Sequence, residues 1–301
     1  MLPEFPKFKK LELSDREDIE KITHVHAPHS DYNFMSMWAW DVKNHMEVST
    51  LNNNLVVKFT DYITSEPFYS FLGKNKPEET AETLLNHSIE NELKPTLNLM
   101  PHDSIENIDK RKFRVEKDHD NFDYIYDLTQ ISTYKGGKFS DKRTMINSFV
   151  RKHGIPQIKI LDLKNLSCQS EIIELNHFWL QNKIKEDANF KIKNEFIATK
   201  KFLQASFHDT LGVGIYLENK LIGYSIFNIL PGNFAICHFS KADINYDGVY
   251  EYLMRECAII LLGYNCVFLN YMQDLGIPGL RRSKTSFRPI EHLKKYIVKN
   301  I

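Results

Sequence analysis

"NYMQDLGIPGLRRSKTSFRP", residues 270–289, packs three cations, Arg281, Arg282 and Lys284, into four positions of a chain whose 39 Lys+Arg and 39 Asp+Glu cancel. Pro278 suits the first turn of a helix, where its missing N–H costs nothing, and Gly276 and Gly279 let other groups approach the backbone closely. A helix starting there presents N–H groups to anions. Arg281 and Lys284, three apart on one face, would add charge-assisted hydrogen bonds to a phosphate, carboxylate or developing oxyanion. The plainer reading is that a short helix keeps cations near its C-terminal end because its dipole favours them there. On the first reading the cations converge on one anion-binding hollow.

Upstream, the hydrophobic pattern alternates between periods of 2 and 3.6. "QIKILDL" (157–163) reads as a strand, and 167–184 and 194–207 as helices. Residues 211–230 read as a hairpin turning at Glu218-Asn219-Lys220, and "NFAICHFSKAD" (233–243) as the next strand. A helix (248–264), a strand (267–272) and a terminal strand (291–300) follow, giving β α α β β β α β with the cation helix before the last strand. Before residue 135 the pattern is again mixed. Ser14 with Glu17 has capping-box spacing, and Ser30 or Asp31 caps a helix bearing Phe34, Met37 and Trp38. Short strands flank a helix that starts at Pro77, and residues 113–128 alternate like strands around an Asp120-Asn121 turn. The break at "STYKGGKFSDKRTMINSFVRKHG" (132–154) sets the expected organisation: a lobe over 1–135, a connecting helix over 136–154 and a second lobe over 155–301.

Composition bounds the rest. With 42% hydrophobic and 12% aromatic residues, 301 residues bury one large or two smaller cores. Residues 1–150 hold 19 Lys+Arg against 25 Asp+Glu and the remainder 20 against 14, which points an anionic ligand at the second part. Cys168, Cys237, Cys257 and Cys266 form no CxxC pair and read as reduced core thiols. The longest uncharged run, Cys257 to Met272, is too short and too interrupted to span a bilayer, and Met1 opens no signal peptide. A cytoplasmic protein is expected. His24, His26 and His29 lie close together but lack acidic or thiolate companions at ligand spacing, so no metal site is expected.

Leu280, Arg281, Arg282, Lys284, Phe287 and Pro289 meet a Leu-Arg-Arg-Tyr-Lys-x-Lys-Phe-x-Pro run, with Ser283 and Ser286 in place of Tyr and the second Lys. On these residues the segment resembles the phosphatidylglycerol lysyltransferase C-terminal domain-like family of the DUF2156 type. "GGKFSDKRTMINSF" (136–149) is similar to that family's Gly-Lys-x-x-x-x-Lys-Arg-Asn-x-x-Asn-x-Phe helix through Lys142, Arg143, Asn147 and Phe149, with Thr144 for Asn. "SDYNFMSMWAWD" is similar to its N-terminal Ser-x-Tyr-x-Phe helix. The resemblance implies an α+β fold of two tandem GNAT-like lobes, with mixed, mostly antiparallel sheets flanked by helices. Strands 4 and 5 of the second lobe should splay to admit a donor. It implies a transferase moving an aminoacyl or acyl group to an amine or hydroxyl. The alternative is a non-catalytic binding or regulatory module on a degenerate GNAT fold.

No cofactor is expected to be held permanently. The implied donor is an aminoacyl-tRNA or an acyl-CoA, and the basic second lobe could meet tRNA. The acceptor would be a small molecule, a peptide or a lipid headgroup. Lys284 is the candidate for stabilising the tetrahedral oxyanion. Asp274 either orients or deprotonates the acceptor, or caps the helix that follows. Arg281, Arg282, Tyr271 and Gln273 are candidates for lining the substrate site, and Tyr271 suits the core as well. His238 is a cleft-wall or core histidine, while Lys142, Arg143 and Asn147 either face the substrate or pin an interface. Glu195 and Trp179 read as helix surface and core. In "NYDGVY" (245–250), Asn245 and Gly248 loosely fit a CoA pyrophosphate loop and Tyr250 does not.

Overall fold

A computed structural model describes residues 1–186 and 194–301. In chain order the first elements are β1 (Lys9–Lys10), α1 (Arg16–Thr23), α2 (Phe34–Trp40), β2 (Glu47–Leu51), β3 (Asn54–Thr60) and β4 (Pro67–Leu72). There follow α3 (Pro77–Glu90), β5 (Leu97–Pro101), α4 (His102–Ile105), β6 (Phe113–Lys117), β7 (Asp123–Asp127) and α5 (Leu128–Thr133). Next come α6 (Ser140–His153), β8 (Gln157–Leu161), α7 (Leu166–Glu186), α8 (Asn194–Ala205), β9 (Thr210–Leu217), β10 (Lys220–Leu230) and β11 (Phe234–Ala242). The chain closes with α9 (Val249–Gly263), β12 (Phe268–Asn270), α10 (Pro278–Ser286), β13 (Glu291–Leu293) and β14 (Lys295–Asn300). None of the helices among the described residues is long and apolar enough to cross a membrane.

The strands form two seven-stranded sheets, ordered β1-β2-β3-β4-β5-β14-β6 and β13-β7-β12-β11-β10-β9-β8. Both are mixed and mostly antiparallel, as expected of tandem GNAT-like units. The chain divides into two compact units that are not sequential. Residues 1–124, 273–281 and 292–301 make the first, and 125–272 with 282–291 the second. The sequence reading, with one junction near 135–155, has no such return. The reason is β14, which inserts between β5 and β6 and pairs antiparallel with each. Residues 113–128 do supply two strands, but β6 and β7 belong to different sheets.

In the first unit α3 packs Ala81, Leu84 and Leu85 against Phe71, Leu97 and Val298 of the sheet. A second, charged centre lies in the same unit. Asp31, Asp123 and Lys295 are all buried, and Lys295 pairs with both carboxylates, Asp123 at 2.7 Å. Ser30 donates its N–H and hydroxyl to Asp123 at 2.8 and 2.7 Å, and Tyr62 donates to Asp31 at 2.7 Å. These bonds explain why neither Ser30 nor Asp31 caps α2. Asn33 does so instead, its Oδ1 accepting from Met35 and Ser36. Nor does Ser14 cap α1: Glu12 and Asp15 form a capping box one turn earlier, around a short 3-10 turn.

In the second unit β9 and β10 form the expected hairpin. Glu218 and Asn219 both have positive φ, 49° and 64°, the signature of a two-residue turn whose twist suits the strands it joins. β10 is buried continuously from Leu221 to Asn228, so both of its faces are covered, and α7 and α9 pack on it.

Removing the Lys295 ammonium would strand two carboxylates in a dry interior. Lys295→Met should lose roughly 3–5 kcal/mol of stability in urea denaturation. Lys299→Met on the same strand, whose partner Glu116 is only part-buried at 2.9 Å, should lose at most about 1 kcal/mol.

Candidate active site

β11 and β12 run parallel but pair over only three positions, Phe234 with Phe268, Ala235 with Leu269 and Ile236 with Asn270. β12 ends there, while β11 continues from Cys237 to Ala242 without it. The strands therefore part, leaving a V with polar backbone on its walls. Lys284, buried at 6% exposure, reaches it from α10. Its Nζ donates to the Tyr271 carbonyl at 2.5 Å and lies 5.2 Å from the Tyr271 ring. That carbonyl, the first beyond Asn270, has lost its ladder partner, and a buried carbonyl without a donor is costly. The carbonyl of Lys284 itself accepts from the Tyr126 hydroxyl at 2.8 Å. On one face of the sheet beside the V, Tyr271 is hydrogen-bonded to Ser240, and Ser240 to its cross-strand neighbour Ser225 at 2.8 Å. Burial pushes the nearby Cys257 thiol up to about 12, so it is not a thiolate nucleophile at neutral pH.

The other residues singled out from sequence have different surroundings. Asp274 accepts from Tyr124 at 2.5 Å, from Arg281 Nε and Nη2 at 2.8 Å each, and from the Gly276 N–H at 2.9 Å. Burial alone would raise this carboxyl; Arg281, Tyr124 and the Gly276 amide together hold it below its ordinary value. Arg281 also pairs with Asp120 at 2.6 Å, and Gln273 joins the buried charge centre of the first unit through Ser30 at 2.9 Å and Asp31 at 3.1 Å. Arg282 is exposed. The three cations of the opening motif thus do not share a target: Arg281 meets carboxylates, Arg282 solvent and Lys284 the V.

Lys142 is buried and holds the helices of the second unit together. Its Nζ bonds Glu251 at 3.0 Å and Ser286 at 2.7 Å, and lies 3.8 Å from the Phe287 ring centroid. Arg143 donates to the carbonyls of Tyr134 and Gly136 at the end of α5, and Asn147 is exposed. His238 is buried against Phe202, ring centroids 5.0 Å apart.

Two features are legible only in part in the sequence, where Glu195 reads as helix surface, Trp179 as core, and residues 245–250 as a loose fit to a pyrophosphate loop. One is the pair of Lys241 and Glu195 beneath Trp179: both Glu195 oxygens lie 2.8 Å from Lys241 Nζ, which is 3.9 Å from the indole centroid. A lysine in "CHFSKAD", an otherwise buried strand, is the hint the sequence held. The other is the start of α9. Gly248 has φ +87°, and a Cβ there would lie 2.5 Å from the Met145 carbonyl oxygen, so the α6 backbone sits directly against this turn. The Tyr250 hydroxyl is hydrogen-bonded to the Ala242 backbone and to Trp179.

The sequence matches the family described as phosphatidylglycerol lysyltransferase, C-terminal, over residues 23–299. The chain belongs to that family. A conserved protein of unknown function from Bacteroides thetaiotaomicron superposes with a TM-score of 0.84 at 23% identity, each chain covered in full. L-PGS from Bacillus licheniformis gives 0.63 at 12% identity, covering 97% of this chain and 92% of that one. An uncharacterized protein of Mycoplasmoides gallisepticum is 24% identical over 196 residues, 64% of this chain, and the match spans 61% of that relative's length. The family's description names a transferase, and the likeness to these solved structures is one of fold.

Burial pushes the His238 imidazole down to about 3, with Asp209 acting weakly the other way, so the folded protein keeps it neutral. Its contribution to stability is complete above pH 6.5 and is lost as pH falls from 6.5 toward 3, because only the unfolded chain takes up the proton. Against His238→Gln, the wild type's stability advantage should shrink by about 2–3 kcal/mol between pH 7 and pH 4.5, read from urea midpoints at both values.

Proposed function

We propose that the chain transfers an aminoacyl group from an aminoacyl-tRNA to an amine or hydroxyl acceptor in the V between β11 and β12. The observation that supports this is Lys284, a buried ammonium delivered to the point where the sheet opens. Attack of the acceptor nitrogen or oxygen on the ester carbon forms the new bond and puts negative charge on the former carbonyl oxygen. Collapse breaks the bond to the ribose oxygen, which leaves as a hydroxyl carrying the proton lost by the nucleophile. An ammonium has three donors. The Tyr271 carbonyl holds the group in place, and its positive charge at the opening of the sheet would stabilise the oxyanion as it forms.

Asp274 we assign to position rather than to proton transfer. Its two oxygens already accept four hydrogen bonds, and its partners favour the ionised form. It fixes the start of α10, the helix that carries Lys284.

An acyl-CoA donor suits this site poorly. A pyrophosphate at the start of α9 needs free backbone N–H groups and an open approach. Here the Met145 carbonyl, an acceptor that repels phosphate oxygens, lies against Gly248. The freed backbone of Ala242, on the wall of the V, is already bonded to Tyr250.

Lys284→Ala should slow transfer from aminoacyl-tRNA by about 10²–10³-fold per folded molecule, and, by leaving the Tyr271 carbonyl without this donor, should also cost roughly 1–3 kcal/mol of stability. A panel of charged tRNAs against amine and hydroxyl acceptors reads this. Near-normal turnover by the variant removes the assigned role; no transfer by the wild type across the panel favours a binding module. Acyl-CoA should neither shift the melting temperature nor act as donor.

A further inference from the structure

Lys241 follows Ser240 on β11, so its side chain leaves the opposite face of the strand from the serine pair. There it is held by two groups from separate helices, the Trp179 indole of α7 and the Glu195 carboxylate of α8. The side chains of Lys241 and Glu195 are only 8% and 14% exposed. An indole face and a carboxylate converging on one point make a receptor for an ammonium. Packing alone does not call for it, since an apolar pair of similar volume holds a core as well as a buried ion pair or better. The cage adjoins the V through Tyr250, whose hydroxyl is bonded both to Trp179 and to the backbone of Ala242, the residue after Lys241.

We propose that the Trp179–Glu195 cage is the side-chain subsite of the transfer site, and that Lys241 fills it with its own ammonium, so that the transferred group is one with an uncharged side chain. The assignment rests on reading the V as the transfer site. A cationic side chain reaching the cage would set a second positive charge against Lys241 with a single carboxylate between them. Glu195 already gives both oxygens to Lys241, so the newcomer would lose water and gain only a share in one negative charge. An uncharged chain avoids both costs and packs along the lysine stem.

Lys241→Ala removes three carbons and the ammonium, which is the outline of the end of another lysine side chain. L-lysinamide and L-norleucinamide, similar in length and differing in side-chain charge, are titrated calorimetrically into the full chain. Wild type should favour norleucinamide. Lys241→Ala should reverse the preference, with roughly a tenfold change in the ratio of the two affinities. Lys241→Gln, which keeps bulk and drops charge, should bring the ratio close to one and serves if the alanine variant does not fold. An unchanged ratio in the folded variants, a wild type that already favours lysinamide, or no binding of either amide to any variant overturns the proposal. Transfer from charged tRNA is scored separately: a reversed preference in a protein that transfers nothing counts against the transferase reading, and transfer without reversal counts against the cage.

Discussion

The hydrogen-bond ladder between β11 and β12 stops at Ile236 and Asn270, and the polar edge it leaves is the constraint around which the second unit is built. Backbone groups buried without partners are expensive, so each must be met by something other than a strand. Lys284 meets the Tyr271 carbonyl, Tyr250 meets Ala242, and the Ser225–Ser240 pair lies on one face of the sheet beside the opening. Bringing a lysine into so dry a place requires α10 to be fixed at its carboxyl end. Lys142 does this by bonding Ser286 while it pairs with Glu251 of α9. The family's α6 motif is in this sense part of the same arrangement as the cation motif: Lys142 and Arg143 hold the frame that aims Lys284.

The first unit has the mirror problem, charge inside rather than backbone exposed. Two carboxylates and one ammonium carry a surplus negative charge in a centre with no exposure to water. Burial raises Asp31, while Lys295 and His29 offset burial to keep Asp123 below its ordinary value. Lys295 itself is raised because the two carboxylates outweigh its own desolvation. Such a centre is satisfied only when segments far apart in sequence are all in place, since Ser30, Tyr62, Asp123, Gln273 and Lys295 each supply a bond. This is why the last strand of the chain completes the first sheet.

What the sequence showed and what it hid divide along the same line. The β9–β10 turn was legible at Glu218-Asn219, α10 at Pro278 and the alternation of β11 in "NFAICHF", because each depends on backbone preferences acting over a few residues. The caps of α1 and α2 were misplaced because Ser30 and Asp31, good capping residues by type, are drawn into bonds with Asp123 and Lys295. The separation between Lys295 and Asp123 is 172 residues, and no local pattern records a contact of that span. Glu195 and Lys241 were hidden similarly: at the first turn of a helix a glutamate is ordinary, and only the fold brings the lysine of β11 under the indole of α7.

The opening motif shows how one helix turns a cluster of like charges to separate ends. Successive residues on α10 are about 100° apart, so Arg282 cannot follow Arg281 to the same target. Arg281 has the planar fork that matches both oxygens of Asp274, with two parallel bonds of 2.8 Å, and a lysine there would lose one of them. Lys284 meets a buried carbonyl in a confined space, where a compact ammonium fits and a guanidinium would need room for its whole plane. The order Arg-Arg-x-Lys therefore encodes two chemistries. The arginine ties its end of the helix to carboxylates of its own unit, and the lysine one turn later meets a backbone carbonyl of its own unit.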